Sequence, residues 1–518
     1  MGPAATNRIV RSIRAVRAKH LQALALGMLA LSMSILGGSA SAQAARGPTV
    51  GAALGSLQSS GAITATTYQQ DYAAYVAAQR SLKKLSGTRR TELGGVLANV
   101  QAIAAARGFI PSRLPALFMT LERNRQWWTT GPLLAGRVRV SFPSSKLVWE
   151  YYPGQGLEIQ WLGTFGEGNG YYLSGHENAN LRQLVSEIIP LATKRAGGIA
   201  WEYMFQFDGG LPPWTSGLSQ GTALQVLTRA WSRFKEPADL TAAQEALGIF
   251  QSPPPNGVRV TSAIGAHYLE YTYAPHDRIL NGEIQALVGL YDYTSITKDP
   301  LGEKLFEAGD AEGRARVPSY DTGAWSMYDQ YGESDLSYHE LLTEFLKHLC
   351  ERTSKGEPFT PTAAPAPAPT PTPTPSPPTT GGTAETGGAS AARHLAQSTS
   401  TTASSPAIGA DAIYCTTAQR FTADLHTPPT IGLVTSTLRG GTRGGVQISL
   451  SKISSVGLTI RKGGNVVWRN SAMLERGKPR LLWVTPKNKA GSYAITLTAT
   501  DLAGNSASAS GTIAVTSR

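Results

Sequence analysis

A proline-rich run past the middle of the chain limits the fold more than any other feature. Residues 353–380 are rich in Pro, Thr and Ala, and residues 381–410 are rich in Gly, Ser, Thr and Ala. Proline removes backbone donors and favours an extended backbone, so the first segment predicts a stiff tether and the second a flexible one. The chain must therefore form separate folded parts on either side of a linker that spans residues 353–411.

Before the linker, apolar residues recur at helical spacing in most segments. Clear examples are the predicted helix from Pro300 to about Arg316 and the helix after Asn281, which can supply the N-cap. Between residues 137 and 175 the period changes to alternation, which predicts a small antiparallel sheet. The helices come in succession with polar aromatic loops between them. We therefore predict for residues 63–352 a mainly α fold, an α/α toroid or partial barrel that carries a small sheet.

After the linker, short alternating strands are separated by Gly and Asn turns, which is typical of a β-sandwich. Residues 491–505 resemble the last hairpin of bacterial immunoglobulin-like modules, so residues 412–518 are predicted to form an Ig-like sandwich. Residues 430–518 hold twelve Lys or Arg but only two acids, Glu475 and Asp501, whereas the whole chain has a net charge of +12. A basic module of this kind predicts an anionic envelope polymer as a partner, with a merely basic surface as the alternative.

The N-terminus has the pattern of an export signal. A basic stretch between Arg8 and Lys19 precedes an apolar run from Leu21 to Leu36, and small residues follow. Residues 1–44 therefore predict a cleaved signal peptide and a secreted or extracytoplasmic protein that meets the membrane only during export. An uncleaved anchor is the alternative. Residues 45–62 are small and polar, and we predict a disordered linker there.

The chain has two cysteines, Cys350 and Cys415. An exported protein can join them in a disulfide, and two free thiols are the alternative. The sequence contains no Gly-rich phosphate loop, no zinc-type His spacing and no Gly-x-Ser-x-Gly motif, so we expect no cofactor and no metal. Export and the lack of a recognisable motif argue against a nucleic-acid partner. A homodimer is compatible with the sequence.

Polar aromatic runs open several of the predicted helices. They are residues 214–221, residues 267–275 and residues 320–338, and the last contains Tyr320, Tyr328, Tyr331 and Tyr338. A ring of helices would bring such junctions together, and aromatic faces with amides and acids suit a sugar groove. Ser337 and Glu340 fit a capping box, which would make Tyr338 the first helical residue. The helix dipole would there favour its phenolate.

At this point the sequence resembles the C-terminal domain of the glucuronyl C5-epimerase family. The matching residues keep their order over about residues 200–350, and a weaker likeness extends over residues 151–166. They are Trp214, Ser216, Gln220-Gly221, Glu270-Tyr271, Pro275, Ile279-Leu280-Asn281-Gly282, Leu290-Tyr291-Asp292, Tyr320-Asp321-Thr322-Gly323, Tyr328-Asp329 and Tyr338-His339.

The resemblance implies an α/α barrel that inverts C5 of glucuronate within a polysaccharide, giving iduronate. It implies proton-transfer roles for Tyr271 and Tyr338, and further active-site roles for Glu270 and Tyr328. For substrate binding we single out a second set of residues. These are Trp214, Gln220, Asn281, Tyr331, His339 and Asp329.

Inversion needs an acid/base group on each face of the sugar ring, because one group removes the C5 proton and another returns a proton. Which tyrosine is the base and which the acid stays open. Where the family has an Arg soon after the Tyr-Asp pair, this chain has Tyr331. The positive charge for an anionic substrate would then come from another residue. The candidates are His267, Arg278, His339 and Arg182.

These observations predict a secreted uronate C5-epimerase that acts on an acidic polysaccharide. One alternative is a lyase on the same polymers, which shares the abstraction of the C5 proton and then expels the O4 substituent. A hydrolase is a weaker alternative, although Glu270 with Asp321 or Asp329 offers paired carboxylates. A further alternative is a non-catalytic envelope protein that binds anionic glycans.

Overall fold

The structure is a computed structural model that describes residues 47–354 and 412–517. The predicted signal peptide and nearly all of the predicted linker at 353–411 lie outside the described residues. Within the described ranges, no helix has the length and apolar character needed to cross a membrane.

The first helix lies within residues 45–62, where the sequence predicted a disordered linker. Thr49 caps this helix by accepting a hydrogen bond from Ala52 N at 3.2 Å, and Val50 and Leu54 are fully buried. The linker prediction for residues 45–62 is therefore wrong over most of its length, because apolar contacts with later helices stabilise a segment of small residues. The helices are α1 Val50–Ser59, α2 Ala65–Lys84, α3 Gly87–Ala105 and α4 Leu114–Thr130.

A three-stranded antiparallel sheet follows, as predicted for the region near residues 137–175. Its strands are β1 Arg139–Val140, β2 Trp149–Tyr152 and β3 Gly156–Ile159. The rest of that region forms helix α5, Trp161–Ser174, rather than sheet. The side chain of Gln160 starts this helix by accepting from Gly163 N, and Trp161 and Phe165 bury one face.

The remaining helices of this part alternate with two hairpins and two short 3-10 turns. The helices are α6 Asn178–Ile188, α7 Gly217–Phe234, α8 Pro237–Glu245, α9 Gly248–Gln251, α10 Leu280–Thr297, α11 Pro300–Arg316 and α12 Leu336–Thr353. The hairpins are β4 Thr193–Arg195 with β5 Gly198–Ala200, and β6 Arg259–Thr261 with β7 Ala266–Tyr268. The 3-10 turns are Ile189–Leu191 and Val317–Tyr320.

Helix α7 packs between α5 and α10, and α10 packs in turn against α12. The approach of α7 and α10 is close because glycines meet there: a Cβ on Gly289 would lie 2.0 Å from the carbonyl oxygen of Gly221. A mainly helical fold with a small sheet is confirmed. Closure of these helices into an α/α toroid stays a prediction.

Helix α13, Ile413–Asp424, belongs to the helical part although it follows the linker. Tyr414 and Phe421 are fully buried in the core that the earlier helices form. A disulfide joins Cys350 of α12 to Cys415 of α13. The predicted start of the sandwich at residue 412 is therefore wrong, because the first segment after the linker packs on α12.

Two sheets with a shared apolar core make up the rest of the chain. The strands are β8 Ile431–Leu433, β9 Thr437–Arg439, β10 Arg443–Leu450, β11 Ser454–Lys462, β12 Asn465–Leu474, β13 Arg480–Val484, β14 Gly491–Asp501 and β15 Ser506–Thr516. One sheet has the strand order β13-β10-β8 and the other β12-β11-β14-β15-β9. The predicted strand-rich part is confirmed, and its assignment to the immunoglobulin class stays a prediction.

Candidate active site

Glu270 and Tyr271 lie just after β7, in a segment that backbone hydrogen bonds hold on both sides. Leu269 N donates to Val258 O at 2.9 Å, and Gly217 N at the start of α7 donates to Leu269 O at 3.0 Å. Thr272 N donates to Thr215 O at 3.1 Å. The junction of a hairpin with the start of a helix therefore positions these two candidate side chains.

The carboxyl group of Glu270 is buried, and its Oε2 has no hydrogen-bond partner among the described residues. Burial raises the pKa of Glu270 to about 7, although a hydrogen bond with Tyr271 opposes the shift. A carboxyl group with such a pKa exchanges a proton readily near neutral pH.

Tyr328 and Tyr338 bring the second half of the site to Glu270. Their ring centroids are 4.6 Å apart, and Tyr328 O accepts a hydrogen bond from Leu280 N at the start of α10. Burial, followed by the charge of Glu270, raises the pKa of both phenols. Burial likewise raises the pKa of Tyr271, with Glu270 as the next cause. The three phenols are therefore protonated groups arranged around one carboxyl.

The expected phenolate at Tyr338 is wrong, and so is its predicted cap. Asp335 is the N-cap of α12, because its Oδ1 accepts from Tyr338 N at 2.9 Å. Tyr338 is then the third helical residue rather than the first. Burial, with the negative charges of Glu270 and Asp335 as the next causes, raises the pKa of Tyr338 and outweighs any effect of the helix dipole.

Arg137 is the cation that acts on this cluster, and sequence reasoning missed it. The residue precedes β1, and its guanidinium pairs with Glu150 Oε1 at 2.8 Å and lies over the ring of Tyr152. Its positive charge lowers the pKa of Tyr338, against the larger effect of burial. The alternating segment at residue 137 was visible in the sequence, but nothing local indicated that Arg137 would act on Tyr338.

The other candidate cations are engaged elsewhere. His267 is buried, with its Nδ1 2.9 Å from Glu283 Oε2, and exposed Arg182 pairs with Glu236. The guanidinium of Arg278 donates to Pro275 O at 2.9 Å.

Trp214 lies beneath the site rather than on its surface. Its ring contacts that of Tyr271 edge to face at 5.6 Å and stacks on Tyr203 at 4.2 Å. Its indole N–H donates to Phe205 O at 2.8 Å, and the side chain is buried. The structure therefore does not support direct sugar stacking by Trp214, which instead supports Tyr271 from below.

Two further residues predicted to bind substrate are core residues. Gln220 is fully buried, and its amide donates to Ile199 O and Ala246 O. His339 is fully buried and stacks on Trp325 with ring centroids 3.7 Å apart. Burial lowers the pKa of His339 to about 4, so this histidine is neutral and carries no positive charge for a substrate.

The remaining predicted residues have mixed positions. Asp329 is buried and accepts from Tyr331 N and Gly332 N, which shapes the turn after Tyr328. Tyr331 itself is 72% exposed.

Asn281 is buried at the second position of α10, and its side chain does not cap that helix. Both polar atoms of its amide are buried without a partner among the described residues, so an amide is available at the helix start beside the Glu270 segment. Within residues 47–354 and 412–517, no group of three or more His, Cys, Asp or Glu side chains is arranged to hold a metal ion.

Comparison with known proteins shows a family likeness for the region that contains this site. Residues 196–363 match the model of the D-glucuronyl C5-epimerase C-terminus, a range that contains Glu270, Tyr271, Tyr328 and Tyr338. The matched region is therefore similar to a family of carbohydrate isomerases. That family is the D-glucuronyl C5-epimerases, and the resemblance seen in the sequence is confirmed.

The individual relatives share only parts of their length with this chain. A D-glucuronyl C5-epimerase of Caenorhabditis elegans is 33% identical over 133 residues, which cover 23% of this chain and 22% of that protein. An uncharacterized protein of Methanocaldococcus jannaschii is 25% identical over 169 residues, 31% of this chain and 55% of that protein. A solved structure of an endo-β-1,4-glucanase from Acetobacter xylinum matches with a TM-score of 0.27 and 14% identity, over 35% of this chain and 54% of that one.

Proposed function

We propose that the protein is a uronate C5-epimerase that converts glucuronate to iduronate within an acidic polysaccharide. The observation that carries the proposal is the position of one buried carboxyl, Glu270, among the phenols of Tyr271, Tyr328 and Tyr338. The family match supports the class of reaction. Epimerisation at C5 needs a base on one face of the ring and an acid on the other, and this cluster offers both types of group.

In this proposal Glu270 removes the C5 proton and Tyr338 returns a proton from the other face. A buried carboxylate with a pKa of about 7 is the stronger base at neutral pH, since the pKa of each of the three phenols is raised. Tyr338 is the phenol beside Arg137, whose charge favours the phenolate that remains after the proton is given up. Solvent exchange then restores both groups, and the reverse reaction uses them in the opposite order.

Arg137 would also hold the carboxylate of the substrate. Loss of the C5 proton places negative charge on that carboxylate, and a guanidinium can stabilise it with two parallel hydrogen bonds. The side chain of Arg137 is 57% exposed, so a ligand can reach it. Arg137 thereby takes the task that the family gives to an arginine at the position of Tyr331.

A solvent-exchange experiment tests the proposal. The full-length protein is incubated in heavy water with several glucuronate polymers, and deuterium at C5 is measured together with the appearance of iduronate. We expect both with at least one polymer. Tyr338→Phe should give no iduronate, because it lacks the acid on the other face, even though Glu270 can still exchange the C5 proton with solvent. Absence of C5 deuterium in every polymer that the protein binds would contradict the proposal. New ultraviolet absorbance from an unsaturated uronate would indicate a lyase instead.

We also propose that the protein acts outside the cytoplasm. The signal-like pattern of residues 1–44 supports this, although it lies outside the described residues. The Cys350–Cys415 disulfide supports it as well, because such bonds persist mainly in oxidising compartments.

The sandwich would bind an anionic polymer through the end that lies far from the catalytic residues. Strand register places Arg439, Arg443, Lys487 and Lys489 at one end of the two sheets. Glu475 lies just after β12 and Asp501 ends β14 at the opposite end, where they partly neutralise Lys452 and Arg476. A polyanion is therefore attracted more strongly to the first end.

A further inference from the structure

The loop that carries Tyr328, residues 321–335, packs against residues that come after the linker. His339, which follows Tyr338 in α12, connects the two. Its Nε2 lies 3.0 Å from Phe421 O of α13. A carbonyl oxygen only accepts, so Nε2 carries the proton. Nδ1 then accepts from Ser326 N of the loop at 3.2 Å. One neutral histidine thus connects α13 to the loop, one residue after Tyr338.

A second set of contacts comes from the turns of the sandwich. Arg476, between β12 and β13, forms an ion pair with Glu333 of the loop, whose side chain is only 8% exposed. Lys452 lies 5.4 Å above the ring of Trp325, the residue on which His339 stacks. Lys452 is itself buried and bonded to Asp424 O and Asp501. The sandwich therefore contacts the same short loop at two points.

Two covalent or ionic connections hold α13 in place behind the loop. The disulfide ties Cys415 of α13 to Cys350 near the end of α12. Arg420 of α13 forms an ion pair with Asp321 at the beginning of the loop. Both ends of the Tyr328 loop are thus attached to the segment that follows the linker.

From these contacts we infer that residues 413–517 position the loop that carries Tyr328 and so contribute to the candidate active site. This role is separate from any binding of a polymer by the sandwich. Glu333 and Arg476 are positioning residues, since they act on Tyr328 and Tyr338 through the loop. Tyr328 is part of this loop and Glu270 is not, so a small shift of the loop moves the Tyr328 phenol relative to Glu270. This inference rests on the proposed epimerase function.

A double-mutant cycle on the full-length protein tests it. Arg476→Ala and Glu333→Ala should each lower kcat by about tenfold with KM for the polymer unchanged, and the double variant should be no worse than either single one. Arg469→Ala is the matched control, because this arginine lies on β12, paired with Thr459 in the five-stranded sheet. It should leave both constants unchanged.

Hydrogen exchange supplies a readout that does not depend on turnover. Arg476→Ala should speed amide exchange in residues 325–338 and leave residues 266–272 unchanged. A rise of KM with normal kcat in Arg476→Ala would overturn the inference, and so would unchanged exchange in the loop. If the wild-type protein shows no C5 exchange while Arg476→Ala still loosens the loop, the proposed function fails and the positioning role stands.

Discussion

The two halves of the candidate site are supported in different ways. Glu270 and Tyr271 lie between Leu269 and Thr272, whose backbone hydrogen bonds to other residues of the helical part hold the segment in place. Tyr328 and Tyr338 depend on a loop whose far side contacts α13 and the sandwich. The position of Glu270 therefore depends on the helical part alone, whereas the position of Tyr328 depends also on residues that follow the linker.

The largest expected effect is on the first half. Glu270→Gln removes the base without changing its size, so kcat should fall by about 1,000-fold. In the wild-type protein kcat/KM should fall as pH drops below about 7, because Glu270 becomes protonated there. Turnover and pH profiles measure both results. An unchanged pH profile in the variant would assign the base to another group.

The same substitution should stabilise the protein at high pH. The pKa of Glu270 is raised on folding, so the protonated group is favoured in the folded state and stability is lost as pH rises through about 7. Glu270→Gln should then gain on the order of 3 kcal/mol in the free energy of unfolding at pH 8 and little at pH 4. Denaturant unfolding at the two pH values measures the difference. Equal gains at both would contradict burial of an ionisable carboxyl.

A smaller effect is expected from the helix start that packs on Glu270. A Cβ on Gly282 would lie 2.8 Å from Glu270 Cβ and 2.9 Å from Oε2, so Gly282→Ala must displace the carboxyl. We expect kcat to fall by about 30-fold with a small change in KM. Gly166→Ala is the control, since its Cβ in α5 would have open space. Equal losses in both variants would point to general damage.

The smallest effect concerns the charge beside Tyr338. Arg137→Gln should lower kcat/KM by about tenfold, since it removes a half-exposed cation from the acid and the substrate. Arg139→Gln is a matched control, because Arg139 is equally exposed and pairs with the same Glu150. Steady-state kinetics compare them. Similar losses in the two would assign the effect to Glu150 and the sheet rather than to Tyr338.

Local pattern was enough to predict the elements that short-range chemistry dictates. The helix predicted from Pro300 to about Arg316 coincides with α11, and the alternating segments after residue 430 form strands. The family match also confirms the resemblance that singled out Glu270, Tyr271, Tyr328 and Tyr338. Their catalytic roles stay predictions. These features depend on residues close together in the chain, which a sequence displays directly.

The tertiary structure alone decided which polar residues face the site. Gln220 and His339 match the family motif, but packing turns both into the core, whereas Arg137 reaches Tyr338 from about 200 positions away. Asp335 rather than Ser337 caps α12, and α13 packs behind the loop although a long linker precedes it. Burial and contacts between distant segments set these outcomes, and no local period encodes them.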